Sequence, residues 1–233
     1  MTAAAGQRYR SLRQAIDEEL LACGRHAGDV TLVGVGKKQP PETIAAAIAD
    51  GLRDVAENYV QEARRVLAAL PAVRTHFIGH LQTNKAKAVA TLFDVVQSVD
   101  RPEAAFALDR AARTLGKRLT VLVQINISPS ERFGCPPSDA DALVEVVRGL
   151  SGLAFEGIMA IGPLAGDRDA IVRAFAQAAK TFDRVGGSTL SIGMSDDWRE
   201  AVRAGSTMVR IGTALFGRRE SEGTSEEVHG PIV

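Results

Sequence analysis

Surplus charge, clustered cysteine and long apolar runs are all missing from this chain, and each absence removes a class of function. Its 233 residues carry 28 basic and 28 acidic side chains, a formal net charge of zero. Balanced charge builds no long-range field, so neither nucleic acid nor an anionic membrane is an expected partner. Aromatics are only 5% of the residues, and no basic block is interleaved with them. Cys23 and Cys135 fit no metal spacing and no disulfide framework, a usage that suits a reducing cytosol. No apolar run approaches the roughly 20 residues of a membrane span. The first eight residues, MTAAAGQR, carry no apolar segment behind their charge, so no signal peptide is expected. A soluble, cytoplasmic chain without metal is the expectation.

What is present is alternation. Short apolar runs predict strands over 31–36, 53–57, 75–79, 93–99, 119–126, 153–161, 190–194 and 208–211. Amphipathic stretches between them predict helices over 42–50, 60–70, 84–91, 102–115, 138–149, 167–185 and 197–204, with another over 9–26 ahead of the first strand. Strands alternating with helices in this number point to an α/β chain folded as a single (β/α)8 barrel. A doubly wound open sheet is the rival, but no Gly-rich dinucleotide turn follows the first strand. The expected domain is 1–217, N-terminal helix included, with 218–233 as a polar, disordered tail.

Barrels collect function where strands end and βα loops begin. Lys37 ends the first strand, and alternation with Val33 and Val35 aims it inward. From position alone it is either a lysine snorkelling to water or an amine kept for Schiff-base chemistry. Other strand ends supply Asn58 and Tyr59, His80 and Gln82, Asn126 and Ser128, Ser195 to Asp197, and Gly212 with Thr213. The last two loops have the makings of a phosphate site, since barrels often hold phosphate after strands seven and eight. Gly212 admits an anion close to the backbone, and Thr213 offers N–H and hydroxyl. An ordinary turn is the plain alternative there, as a helix N-cap is for Ser195. Arg210 shares the inward face with Met208 and needs an acceptor, either a structural partner or a ligand's aromatic nitrogen.

Four segments then carry a resemblance: THFIGHLQTNK (75–85), ENYVQE (57–62), LSIGMSDD (190–197) and GSTMVRIGTALFG (205–217). In chain order they resemble the pyridoxal phosphate homeostasis family, over residues 8 to 217. The resemblance implies a barrel of PLP fold type III, like the N-terminal domain of alanine racemase, holding pyridoxal 5′-phosphate (PLP) as a Schiff base on Lys37. It implies Ser195, Gly212 and Thr213 at the phosphate and Arg210 at the pyridine nitrogen. Asn58, Met194 and Ile211 would line the ring, and His80 would stand outside direct contact. The departures are Gly36-Lys37-Lys38 where members commonly read Ser-Lys-Thr, Ala56 for a usual Gly, and Arg132-Phe133-Gly134 for Lys-x-Gly.

An arginine at the pyridine nitrogen donates no proton, so the ring stays a weak electron sink. The racemases also use a tyrosine from a second domain, for which the residues beyond the barrel leave no room. Tyr9 and Tyr59 are the two tyrosines here. The implied function is therefore a non-enzymatic monomer of vitamin B6 homeostasis that holds PLP and passes it to PLP-dependent apo-enzymes. A narrow PLP-dependent racemase or lyase is the alternative. Lys85 is a candidate for a second, weaker imine.

Overall fold

The computed structural model describes residues 2–129, 132–163 and 167–217; the expected tail, 218–233, lies outside them. The order is α1 (Thr2–Ala22), β1 (Thr31–Val35), α2 (Pro41–Ala49), β2 (Asp54–Glu57), α3 (Val60–Leu67), β3 (Arg74–Phe77), a 3-10 turn (Thr83–Lys85), α4 (Ala86–Leu92), β4 (Val95–Val99), α5 (Pro102–Thr114) and β5 (Leu119–Asn126). Then follow α6 (Ala140–Arg148), β6 (Leu153–Ile161), α7 (Arg168–Val185), β7 (Thr189–Ser191), α8 (Trp198–Arg203), β8 (Met208–Ile211) and α9 (Thr213–Phe216). The strands close into a parallel barrel in chain order, with β1 paired to both β2 and β8. The open-sheet rival is thereby excluded.

Apolar periodicity explains the layers. Each helix buries one stripe against the sheet, as α2 does with Ile44, Ala47 and Ile48. Pro41 at its first position lacks an N–H that would be orphaned there, so it starts the helix at no cost. Full burial of Ile44 or Leu52 stabilises by about 1.5–3 kcal/mol each. Helix α1 adds Ile16 and Leu20 to the same cluster. Its Arg8 donates to the carbonyls of Leu215 (2.7 Å) and Phe216 (2.8 Å), which ties the last short helix to the first.

Several boundaries differ from the pattern-based ones. The seventh strand stops at Ser191 rather than 194, because Gly193 has φ +96° and the Met194 N–H is taken by Asp197 Oδ1 at 2.6 Å. The fourth strand starts at Val95 rather than 93, since the Phe93 N–H still bonds Val89 of the preceding helix. α1 starts at Thr2 rather than 9 and ends at Ala22 rather than 26, just before Gly24 at φ +72°.

Register decides which side chains face the lumen. Val33, Ala56 and Met208 form an inner cluster with Val35 and Ile78. Next to them the lumen is polar: His76, Gln97, Ser191 and Arg210 are all buried, and Gln97 Nε2 lies 3.3 Å from Met208 Sδ. On the outward side of β2 lies Glu57, whose carboxyl is fully buried without a hydrogen-bond partner. A Cβ at Gly36 would lie 2.7 Å from Glu57 Oε1 and 2.8 Å from Ile44 Cδ1. Burial, reinforced by the nearby Glu62 charge, pushes the Glu57 carboxyl up to about 8.

Two predictions follow from this packing. A Cβ at Gly79 would fall 2.0 Å from the Asn58 carbonyl oxygen, so Gly79→Ala must push the β2 and β3 loops apart. The expected cost is about 1–3 kcal/mol, read as a lowered urea midpoint. Glu57 has a folded pKa of about 8 against 4.5 for the free group, so its protonated form stabilises the fold at low pH. That contribution is lost as pH rises from about 4.5 through about 8, by up to about 1.4 kcal/mol per unit. Glu57→Gln should flatten this fall and be the more stable protein near pH 9, as urea titrations of both proteins at a series of pH values will show.

Candidate functional site

The site is built on the C-terminal rim of the barrel, where β1 delivers Lys37. Beyond Val35 the chain turns sharply, with the Gln39 N–H bonded to the Gly36 carbonyl at 2.8 Å. Lys38 takes the strained left-handed conformation, φ +59°, and its N–H is held by the Glu62 carboxylate. This turn leaves Lys37 half-buried and Lys38 exposed to water. Lys37 Nζ sits 5.1 Å from the centroid of the Tyr59 ring, a cation–π contact across the mouth.

Beside this lysine opens a cavity of about 680 Å³, lined by Asn58, Tyr59, Ile78, Gly79, His80 and Phe133 among others. Its floor includes Gln124 and Ile161 from β5 and β6. His80 stacks on Phe133, ring centroids 3.7 Å apart, and its Nδ1 is buried without a hydrogen bond. Asp100 Oδ2, at 3.7 Å, is too far to serve as acceptor. The cavity holds Asn58 from the expected set. A smaller one of about 440 Å³ adjoins it, sharing Asn58, Tyr59 and His80 and reaching Lys85.

The loops after β7 and β8 meet beside the end of β1, since β8 is its neighbour in the barrel. Ser195 is half-buried and does not cap α8, whose N-cap is Asp197. Its Oγ instead accepts the Ala214 N–H at 3.2 Å, which brings the two loops together at the start of α9. The N–H groups of Gly212 and Thr213 donate to no acceptor among the described residues. Thr213 is exposed, and a Cβ at Gly212 would meet Val35 only at 3.6 Å, so the backbone there is open. Unsatisfied N–H groups at a helix start suit an anion.

Below these loops lies Arg210, 4% exposed. Its Nη1 donates to both the carbonyl and the Oγ of Ser191 at 2.7 Å, and its Nη2 to the Ala160 carbonyl at 2.9 Å. Burial lowers its pKa to about 10, opposed by the charge of Asp197, so it remains protonated at neutral pH. Asp197 is pushed up by burial and held back by the Met194 N–H and by Arg210.

The expected set is not assembled in full. Lys37, Asn58, Ser195, Gly212 and Thr213 share the rim, with Arg210 beneath it. Met194, half-buried, belongs to the rim through the turn that Asp197 fixes. The side chain of Ile211 is fully buried on the helical side with Val209, Leu215 and Phe216, because strand alternation turns it away from Arg210. Only its backbone can face the site. Pattern reading missed His76, Gln97 and Ser191, three polar side chains buried on β3, β4 and β7.

Comparison with known proteins agrees with this fold. Residues 13–220 match the family model described as the alanine racemase N-terminal domain. A pyridoxal phosphate homeostasis protein of Pseudomonas aeruginosa is 42% identical over 211 residues, covering 88% of this chain and 91% of the relative. That of Escherichia coli K12 is 38% identical over 223 residues, covering 90% and 94%. The structure of PipY from Synechococcus elongatus, with PLP bound, superposes with a TM-score of 0.77 at 35% identity, covering 87% of this chain and all of PipY. With close curated relatives over most of its length and the barrel those relatives imply, the chain belongs to the pyridoxal phosphate homeostasis family.

Proposed function

We propose that this protein binds PLP and holds it reversibly, as a component of intracellular vitamin B6 homeostasis, without catalytic turnover of its own. The observation that carries the reading is the meeting, on adjacent strand ends of one rim, of the Lys37 amine and the unsatisfied backbone donors of Gly212 and Thr213, with a buried cation beneath. The donor set fits the group. Lys37 supplies the amine for a Schiff base, and Ser195, Gly212 and Thr213 supply uncharged donors for a phosphate. Arg210 supplies a fixed guanidinium for the pyridine nitrogen. Asn58 and Met194 flank the ring, and Ile211 contributes backbone alone.

Bound PLP supplies an aldehyde that amines capture reversibly and a ring that accepts electrons when its nitrogen is protonated. Arg210 works against the second property. With its pKa at about 10 it keeps its proton at neutral pH, and two of its nitrogens are already committed to protein acceptors. Lys37 remains half-buried beside an open cavity, which suits loading and release better than exclusion of water. The protein acts as a cytosolic monomer that keeps free aldehyde low and passes PLP to apo-enzymes. One observation favours a catalyst instead: Tyr59 lies beside Lys37 and offers a phenol at the mouth.

Visible absorbance of wild type and Lys37→Ala after PLP loading, followed by borohydride reduction and peptide mapping, tests the reading. The expected result is a band lost in the variant and a pyridoxyl label on Lys37. A colourless wild type that PLP cannot reconstitute would overturn it, and a label on Lys85 would move the site to the neighbouring cavity. Loss of α-deuterium from an amino acid at enzymatic rates, abolished in Tyr59→Phe, would establish the racemase alternative.

A further inference from the structure

The lumen of this barrel contains a continuous line of hydrogen bonds that the proposed binding site does not use. Arg210 Nη1 lies 2.7 Å from Ser191 Oγ, and Ser191 Oγ lies 2.7 Å from Gln97 Oε1. Gln97 Nε2 is 2.9 Å from His76 Nδ1, and His76 Nε2 is 2.9 Å from Asp54 Oδ1. His76, Gln97 and Ser191 are buried to 1% exposure or less, while the Asp54 side chain is 13% exposed at the opposite end of its strand.

Donor and acceptor chemistry gives the line one direction. A guanidinium only donates, so Ser191 Oγ accepts from Arg210 and gives its own proton to Gln97 Oε1. The Gln97 amide nitrogen only donates, so His76 Nδ1 is the acceptor. The remaining imidazole proton is then on Nε2 and points at Asp54. Every link runs from the cation toward the carboxylate. Turning the Gln97 amide over would leave Ser191 Oγ facing donors on both sides and require an Nδ1–H on His76. With Asp54 still accepting from Nε2, the ring would be an imidazolium.

Barrel lumens are usually filled by branched aliphatic side chains, and buried polar groups cost stability unless each is bonded. Here each is bonded, and a fully satisfied network admits a single arrangement of its members. We propose that Asp54, His76, Gln97 and Ser191 are positioning residues for Arg210. The line fixes the plane of the guanidinium, and the distant carboxylate strengthens each acceptor in turn up to Ser191 Oγ. This inference rests on the proposed role of Arg210 at the cofactor ring only for its functional consequence.

The test begins with the protein free of cofactor. Nitrogen-15 NMR should show His76, assigned through His76→Phe, as the neutral Nε2–H tautomer at neutral pH. Asp54→Asn, isosteric and remote from the mouth, should shift both the His76 and the Arg210 Nη resonances. An Nδ1–H tautomer or an imidazolium, or Arg210 resonances unmoved by Asp54→Asn, would overturn the relay whether or not PLP binds. On the loaded protein, Ser191→Ala should release PLP about tenfold faster and Asp54→Asn about threefold faster, with the label still on Lys37. Release at the wild-type rate in both variants would overturn the positioning role. A wild type that takes up no PLP would instead sink the binding reading and leave the relay to the NMR result.

Discussion

Closure of the sheet by β1 against β8 is the contact on which the whole rim depends. Thr31, Leu32, Val33 and Gly34 pair in parallel with Met208, Val209, Arg210 and Ile211. That register sets the lysine after β1 beside the Gly212–Thr213 turn after β8, although the two are far apart in the chain. A shift of one residue would send every side chain of a strand to the other face. Arg210 would then point among the helices, where its charge has no partner. α1 supports the closure from outside, packing against α2, α8 and α9 while Arg8 holds the carbonyls at the end of α9.

The barrel keeps two kinds of interior. The shell between strands and helices is almost wholly apolar and supplies the stabilisation, through residues such as Phe93, Phe175, Leu119 and Leu153. The lumen is mixed. Val33, Ala56 and Met208 fill part of it, and a hydrogen-bonded line runs against them, with Gln97 Nε2 3.3 Å from Met208 Sδ. Each such bond is worth only about 0.5–1.5 kcal/mol net, so the line adds little to stability. Its contribution is geometric, because a guanidinium held on two sides has little freedom left.

This division suits a protein that carries a reactive aldehyde. The lysine stands on a turn with one strained residue, Lys38, whereas the cation beneath is immobilised. Glu57, buried behind the same turn, is a weak point of the arrangement. Gly36 brings it no side-chain partner, and any Cβ there would press on both the carboxyl and Ile44.

Much of this was open to reading from the sequence. The alternation of apolar runs with amphipathic stretches determined the barrel, and the bounds of β5, β6 and β8 follow it residue for residue. The strand-end rule determined Lys37, Ser195, Gly212 and Thr213 as rim residues, since periodicity and turn chemistry are local properties. Tertiary structure alone decided that Ser195 reaches across to Ala214 rather than capping its own helix. It alone decided that His76, Gln97 and Ser191 form one line. Those are pairings between strands distant in the chain, and hydrogen bonding between them depends on register and on barrel closure, which no local pattern contains.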